Sequence, residues 1–289
     1  MKAAAFQLAV LMVVFTIVEC GWPASRAHKW WRRPLLVDLC AWLIHPLSIS
    51  VGITLASEFT NTLFAAHPNE GFWFSLLIFR GHVAALSSIV QITMAVVAAD
   101  FLSYWIHRAY HRFPLLWTFH VVHHTSEELD WLSTSRLHPV SQIANTVAVG
   151  VVLLAAGLSI TAVIAANIFI GAAALLAHAN VNWTFGPLRH LVVSPLFHQW
   201  HHARIDDGDH RHGVGNFGAV FSVWDRLFGT WSLSASRRPA RFGVEGAPAA
   251  TIAGLILHPM HVCIRFLSGV CQRRRADSLV TSVKQTDSP

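Results

Sequence analysis

The residues best able to do chemistry in this chain are histidines at repeated spacing. The pentad H-x-x-H-H occurs as His120-Val-Val-His123-His124 and again as His198-Gln-Trp-His201-His202, and an H-x-x-x-H pattern, His107-Arg-Ala-Tyr-His111, precedes the first copy. On a helix, residues three and four apart share a face, so each pattern aims at least two imidazoles the same way, which is how side chains alone assemble a metal site. With 19 His in 289 residues, two such pentads would arise by chance in fewer than roughly one chain in a hundred. These motifs and His178 supply more imidazoles than one tetrahedral ion can use, which points to two metals. Imidazole donors suit Zn, Cu, Fe and Ni, and the lack of clustered carboxylates argues against Ca and Mg.

The elements that must carry these histidines are apolar. Hydrophobic residues make up 54% of the chain, charged residues 12%, the mean hydropathy is +0.47 and there are 12 Trp; a soluble domain carries about 25% charged residues. The expected class is an all-α integral membrane protein. The net charge of +6 sits beside the apolar runs, as in the charge bias that orients membrane helices, so nucleic acid is not expected as a partner. Cys20, Cys40, Cys263 and Cys271 show no C-x-x-C spacing and no disulfide framework.

Residues 3–20 form a first apolar run that a signal peptide would resemble, but no small-x-small cleavage site closes it, and a retained transmembrane helix is expected. Arg26, Lys29, Arg32 and Arg33, with Trp30 and Trp31, read as a cytoplasmic interfacial patch. A span is expected at 35–57, interrupted by His45-Pro46, followed by an outer loop at 58–73 and a short interfacial stretch at 71–82. The next span, 83–106, returns to the cytoplasm and runs into His107. Asp100 lies two turns before His107 on the same face, and a carboxylate in an apolar helix is functional by default; its expected role is to accept an imidazole N–H. Residues 140–179 carry no formal charge and are long enough for a two-span hairpin, which brings His178 back to the side of His107–His124. Residues 252–270 are expected in or near the interface, a further span being an alternative, with 272–289 a disordered cytoplasmic tail. This gives about four to five transmembrane helices and a cytoplasmic, His-rich helical cap holding a dimetal site.

The run from Asp100 through His107 and His111 to Arg112 resembles the first signature of the fatty acid hydroxylase/sterol desaturase superfamily of membrane di-iron enzymes. So do His120–His124 with Asp130-Trp131 and Arg136-Leu137-His138-Pro139, and Phe197–His202 with Asn216-Phe217-Gly218 and Trp224-Asp225 through Thr230. The resemblance covers about 95–232 and implies an oxidoreductase in which two iron ions (Fe2+) and O2 hydroxylate or desaturate a C–H bond of a lipid. The implied ligands are His107, His111, His120, His123, His124, His178, His198, His201 and His202, with His138 a candidate tenth. Asp100, Asn180 and Asn216 would brace them, and Asp225 reads as a structural cap. The implied organisation is 1–94 for N-terminal spans and an interfacial segment, 95–232 for the catalytic domain, 233–271 for an interfacial or further membrane helix, and 272–289 for the tail. No H-P-G-G haem motif of a fused cytochrome b5 is present, so a separate electron donor of cytochrome b5, ferredoxin or reductase type is expected.

Two rival readings remain open from sequence: a desaturase on the same site, and a His-rich metal- or haem-binding membrane protein. Transporter ligands would sit near the midplane of broken helices, whereas these histidines gather at one end of the spans. His190, His210 and His212 lie between the motifs and are read as surface or substrate-side residues, and His28, His45, His67, His82, His258 and His261 lie outside the signatures and are read as ordinary residues.

Overall fold

The computed structural model describes residues 2–27, 34–66, 71–204, 215–232, 238–249 and 251–265. The basic patch around Trp30 and Trp31, the histidines His28, His67, His210 and His212, and the 272–289 tail lie outside the described residues. The helices are α1 (Lys2–Gly21), α2 (Leu35–Ala66), α3 (Gly71–Ala84), α4 (Ser88–Arg112), α5 (Pro114–His120), α6 (Pro139–Ala155), α7 (Ile160–His178), α8 (Pro195–His201), α9 (Val223–Leu227) and α10 (Ile252–Arg265). Among the described residues there is no strand, only the isolated bridges Pro23–Val181 and Ala203–Phe242.

Three helices, α2, α4 and α7, are long and apolar enough to cross a membrane, and Ala9–Gly21, α6 and α10 are shorter apolar helices. Leu43, Leu47, Leu55, Phe59, Ile89, Ile168 and Phe169 point outward and exposed, as lipid-facing side chains do. The interior of this layer is built from small residues. Ala56, Ala95, Ala99, Ala162 and Ala166 pack with Val149, Leu153 and Val163 where α2, α4, α6 and α7 meet. Small residues let membrane helices approach closely, where dispersion contacts replace the hydrophobic drive that lipid removes. The α2–α6 pair shows this directly: a Cβ on Gly52 would lie 2.6 Å from Thr146 Cβ, and one on Gly150 would lie 2.9 Å from Ala56 Cβ.

The second helix differs from its expected bounds. It runs 32 residues through Pro46 to Ala66, so most of the outer loop expected from residue 58 is helical. No breaker separates Glu58 from Ala66, and in lipid a helix has no alternative partner for its backbone polar groups. At about 1.5 Å per residue this helix is near 48 Å long, beyond the ~30 Å hydrocarbon core.

The two ends of the bundle are distinct. Gln91, near the start of α4, donates to Ala84 O at 3.2 Å and Leu86 O at 3.0 Å and accepts from Ser159 N at 2.9 Å. One side chain thereby ties the α3–α4 turn to the α6–α7 turn. At the opposite end α4 and α7 both carry a histidine in their last turn, covered by α5, α8, α9 and the turns between them. α1 reaches this end as well, where Phe15 stacks on Trp131 with centroids 5.3 Å apart beside Leu132, Ala179 and Val181.

Candidate metal centre

Local sequence sets each ligand-bearing turn. Phe113 is extended at the close of α4 because Pro114 follows it, and Pro114 then starts α5 at the first helical position. Pro195 does the same for α8, where the Ser194 hydroxyl accepts from Phe197 N at 3.3 Å. His120 thus ends α5, His123 and His124 sit in a 3₁₀ turn, His178 ends α7, His198 and His201 lie on α8, and His202 closes it.

These side chains gather into two groups. One holds His107, His111, His120, His124 and His201, the other His123, His178, His198 and His202, and in each the candidate ligand atoms all lie within 4.8 Å of one another. The two groups share a wall, with the His124 and His202 rings stacked at 4.3 Å and 24°. Each pentad is divided between them. Its first and last histidines serve one group and its fourth the other, and the second pentad reverses the assignment of the first.

Hydrogen bonds fix which nitrogen of several rings faces inward. His107 Nδ1 donates to Phe217 O at 2.9 Å, His201 Nδ1 to Gly215 O at 2.8 Å, and His178 Nδ1 to Ala174 O at 2.8 Å. A carbonyl can only accept, so in these three rings Nδ1 carries the proton and Nε2 presents its lone pair. The Nε2 atoms of His107, His111 and His201 are buried with no hydrogen-bond partner among the described residues. Elsewhere Nε2 faces Nε2: His123–His178 at 3.1 Å, His178–His198 at 3.2 Å, His198–His202 at 3.1 Å and His120–His124 at 3.2 Å.

Each such contact needs either a proton on one of the two nitrogens or a cation between their lone pairs. Metal–nitrogen bonds of about 2.0–2.1 Å place neighbouring ligand nitrogens about 2.8–3.0 Å apart in octahedral and about 3.3–3.4 Å apart in tetrahedral geometry, and the observed 3.1–3.2 Å lies between the two. Burial and then the neighbouring imidazoles hold His120, His123, His124, His198 and His202 well below the usual imidazole range, and burial with His107 does the same for His201. Neutral rings with inward lone pairs are what cation binding needs. The residues therefore fit transition-metal ions at both groups.

The supporting residues depart from expectation. Asp100 contacts no imidazole: its carboxylate accepts from Val220 N at 2.8 Å, Phe221 N at 2.9 Å and Trp224 Nε1 at 2.8 Å. Asp225 accepts from Phe217 N at 2.8 Å, Gly218 N at 2.9 Å and Thr230 Oγ1 at 2.7 Å, and burial raises it to about 6. Together the two carboxylates clamp the loop whose carbonyls at Gly215 and Phe217 orient His201 and His107. Asn216 adopts φ +63° and donates to Phe197 O and Ser232 O rather than to an imidazole. Gly218 is required by close approach, since a Cβ there would meet Phe221 O at 2.5 Å. Asn180 ties to Ser25 and Arg238, not to a ring.

His138 lies in neither group. It caps α6 by accepting from Val140 N at 3.2 Å, and its Nε2 contacts Ile256 O at 3.1 Å, so both nitrogens are engaged away from the centre. His45, His82, His190, His258 and His261 also lie outside the groups. Residues that sequence reasoning passed over include Glu19 and Asp38, each a carboxylate at the margin of an apolar helix and each buried. The rule that singled out Asp100 applied to both.

A cleft of about 460 Å³ opens onto His111, His124 and His201, with Arg112, Trp117 and Arg204 on its walls.

The fatty acid hydroxylase family model matches residues 92–230, a stretch that contains every histidine of both groups. The chain is 31% identical over 173 residues to an ornithine lipid hydroxylase, OlsE, of Rhizobium tropici, covering 58% of this chain and 50% of the relative. It is 31% identical over 140 residues to the alkylglycerol monooxygenase of Homo sapiens, covering 47% of this chain and 29% of that protein. It is 26% identical over 195 residues to very-long-chain aldehyde decarbonylase GL1-6 of Oryza sativa subsp. japonica, covering 60% of this chain and 28% of that protein. The matches thus span half or less of these relatives' lengths. No solved structure gives a significant match.

Proposed function

We propose that this chain is a membrane lipid hydroxylase of the fatty acid hydroxylase family, whose nine grouped histidines hold two iron ions. The observation that carries this reading is the pair of all-imidazole groups, seven of their nine rings buried, sharing one wall. Iron is chosen over zinc because the reaction of the named relatives, a hydroxylase and a monooxygenase, needs a redox-active ion. When bound, the irons supply the O2 chemistry: one oxygen atom enters a C–H bond and the other leaves as water, with two electrons and two protons from a separate donor of cytochrome b5, ferredoxin or reductase type.

The chain's own part is binding, orientation and exclusion of water. The carbonyls of Gly215, Phe217 and Ala174 hold three rings in a single tautomer. In this reading the short helices over the ends of α4 and α7 limit water at the groups, and the cleft beside His111, His124 and His201 gives a lipid access to them. Residues 95–232 form the catalytic domain in this reading, with the site on the cytoplasmic face. The substrate in this reading is a membrane lipid; two of the relatives are named for ornithine lipids and alkylglycerols.

The test is lipid mass spectrometry of cells with and without the chain under ¹⁸O₂. A lipid gaining one labelled oxygen only when the chain is present is expected, and it disappears with His201→Ala while the variant still inserts in the membrane. A product two hydrogens lighter and without label would instead make the chain a desaturase. A fully active His201→Ala would sink the ligand assignment.

A further inference from the structure

Between Ala3 and Gly21 the only charged residue is Glu19, and it is 2% exposed. A leucine there would favour a membrane helix, so a buried carboxylate needs a reason. Its Oε1 accepts the backbone N–H of Asn180 at 2.9 Å and of Trp131 at 3.2 Å. Asn180 follows His178 by two residues, and the segment between them is held from the other side as well. Gln199, adjacent to His198, donates through Nε2 to Ala179 O at 3.2 Å and Val181 O at 2.9 Å. The chain leaving α1 completes the grip: Ala24 N donates to Asn180 O at 2.9 Å and Ser25 N to Asn180 Oδ1 at 3.2 Å. Arg238 donates to the same Oδ1 at 2.8 Å.

We propose that Glu19 is a positioning residue for the His178 group: by fixing residues 179–181 it sets the reach of His178 Nε2 toward His123 and His198. The inference rests on the metal-binding reading above. Its action is selective, because the His107 group takes its orientation from Gly215 O and Phe217 O, in a loop braced by Asp100 and Asp225. Glu19 touches none of that loop's clamps. It also makes α1 a working part of the centre, coupled to it by hydrogen bonds that bridge more than a hundred residues of chain.

The experiment is metal content and chelator competition on the full chain purified in detergent. Wild type is expected to hold two ions. Glu19→Leu removes the acceptor and is expected to weaken one of the two sites by about 10–100-fold, the usual effect of losing a group that orients a metal ligand. Glu19→Gln keeps a carbonyl oxygen at the same place and is expected to retain both ions. Adding His198→Ala to Glu19→Leu weakens the same site further and leaves the other at wild-type chelator affinity, whereas adding His111→Ala weakens the second site as well. A residue needed only for folding would lower yield in all variants without separating the two sites or being rescued by glutamine. If Glu19→Leu does not accumulate, Glu19→Ser, too short to reach either N–H, is read in the same comparison. Wild type with two ions and wild-type chelator affinity in Glu19→Leu overturns this inference alone, as does equal weakening of both sites or a glutamine variant that behaves like leucine. Wild type holding fewer than two ions overturns the metal reading and this inference with it.

Discussion

An adjacent pair of histidines on a helix cannot serve one ion easily, because consecutive residues diverge by about 100° around the axis. That is why His123 and His124 face different groups, as do His201 and His202, while the first and last histidines of each pentad, about 40° apart, stay together. The nine positions were legible from spacing and from the family signatures. The partition was not drawn from them, since it depends on which other segments arrive on each side: α4 beside His120 and His124, α7 beside His198 and His202. At this scale the imidazoles also make a pH prediction for the metal-free protein. Burial and mutual repulsion lower the folded-state values of His120, His123, His124, His198, His201 and His202 below the ordinary 6.5. Above 6.5 both folded and unfolded rings are neutral and stability does not depend on them. Below it the unfolded chain takes up protons that the folded chain refuses, so stability falls as pH falls. The thermal midpoint of metal-stripped protein in detergent is therefore expected to be level at neutral and mildly alkaline pH and to drop steeply below 6.5. A midpoint unchanged down to about pH 5 would contradict it.

Among the elements, the ones that hold the ligands were harder to read than the ligands. Asp100 was expected to reach an imidazole from two turns away, but seven residues of helix separate the two by about 10.5 Å along the axis, so its carboxylate instead clamps the loop that turns back over α4. The backbone carbonyls that do orient the rings leave no mark in sequence, because any residue supplies one. Asp38 shows the same logic for α2. Its carboxylate lies 2.6 Å from Arg136 NH2 and 2.7 Å from Arg136 Nε, with the two side chains 0% and 1% exposed, and Arg136 NH1 donates onward to Thr125 at 3.1 Å. This pair pins the start of α2 to the turn that carries His123 and His124. Removing one partner of a buried pair strands the other charge, so Asp38→Ala is expected to cost about 3–5 kcal/mol. Denaturant or thermal unfolding in detergent measures it, and a loss below about 1 kcal/mol, the value of an exposed pair, would mean water reaches Arg136.

For the whole molecule, the described segments alternate between two ends in a way that fixes the path of the chain. α1 finishes and α2 begins beside the centre, where Glu19 and Asp38 make their contacts; α2 then leaves, α4 returns, α6 leaves and α7 returns. The α6–α7 turn lies at the far end, joined to the start of α4 through Gln91. The hairpin was readable as a long uncharged stretch, and its helices of 17 and 19 residues span about 26 and 29 Å, close to the hydrocarbon thickness. The outer loop was expected from the absence of Lys and Arg over 58–73, which speaks to sidedness and not to conformation, and the continuation of α2 is held by contacts such as Thr60, buried and bonded back to Ala56 O at 2.7 Å. From the charge bias we propose that the histidine end lies in the cytoplasm. A single cysteine in a background lacking the native ones tests that orientation. Glu127→Cys, in the turn after the first pentad, is expected to be shielded in intact cells from a membrane-impermeant maleimide and to react once they are opened. Thr161→Cys, at the start of α7, is expected to react from outside. Both residues are exposed, so accessibility reports sidedness and not burial. The reverse pattern would invert the protein and place the centre, and its electron donor, on the outer face.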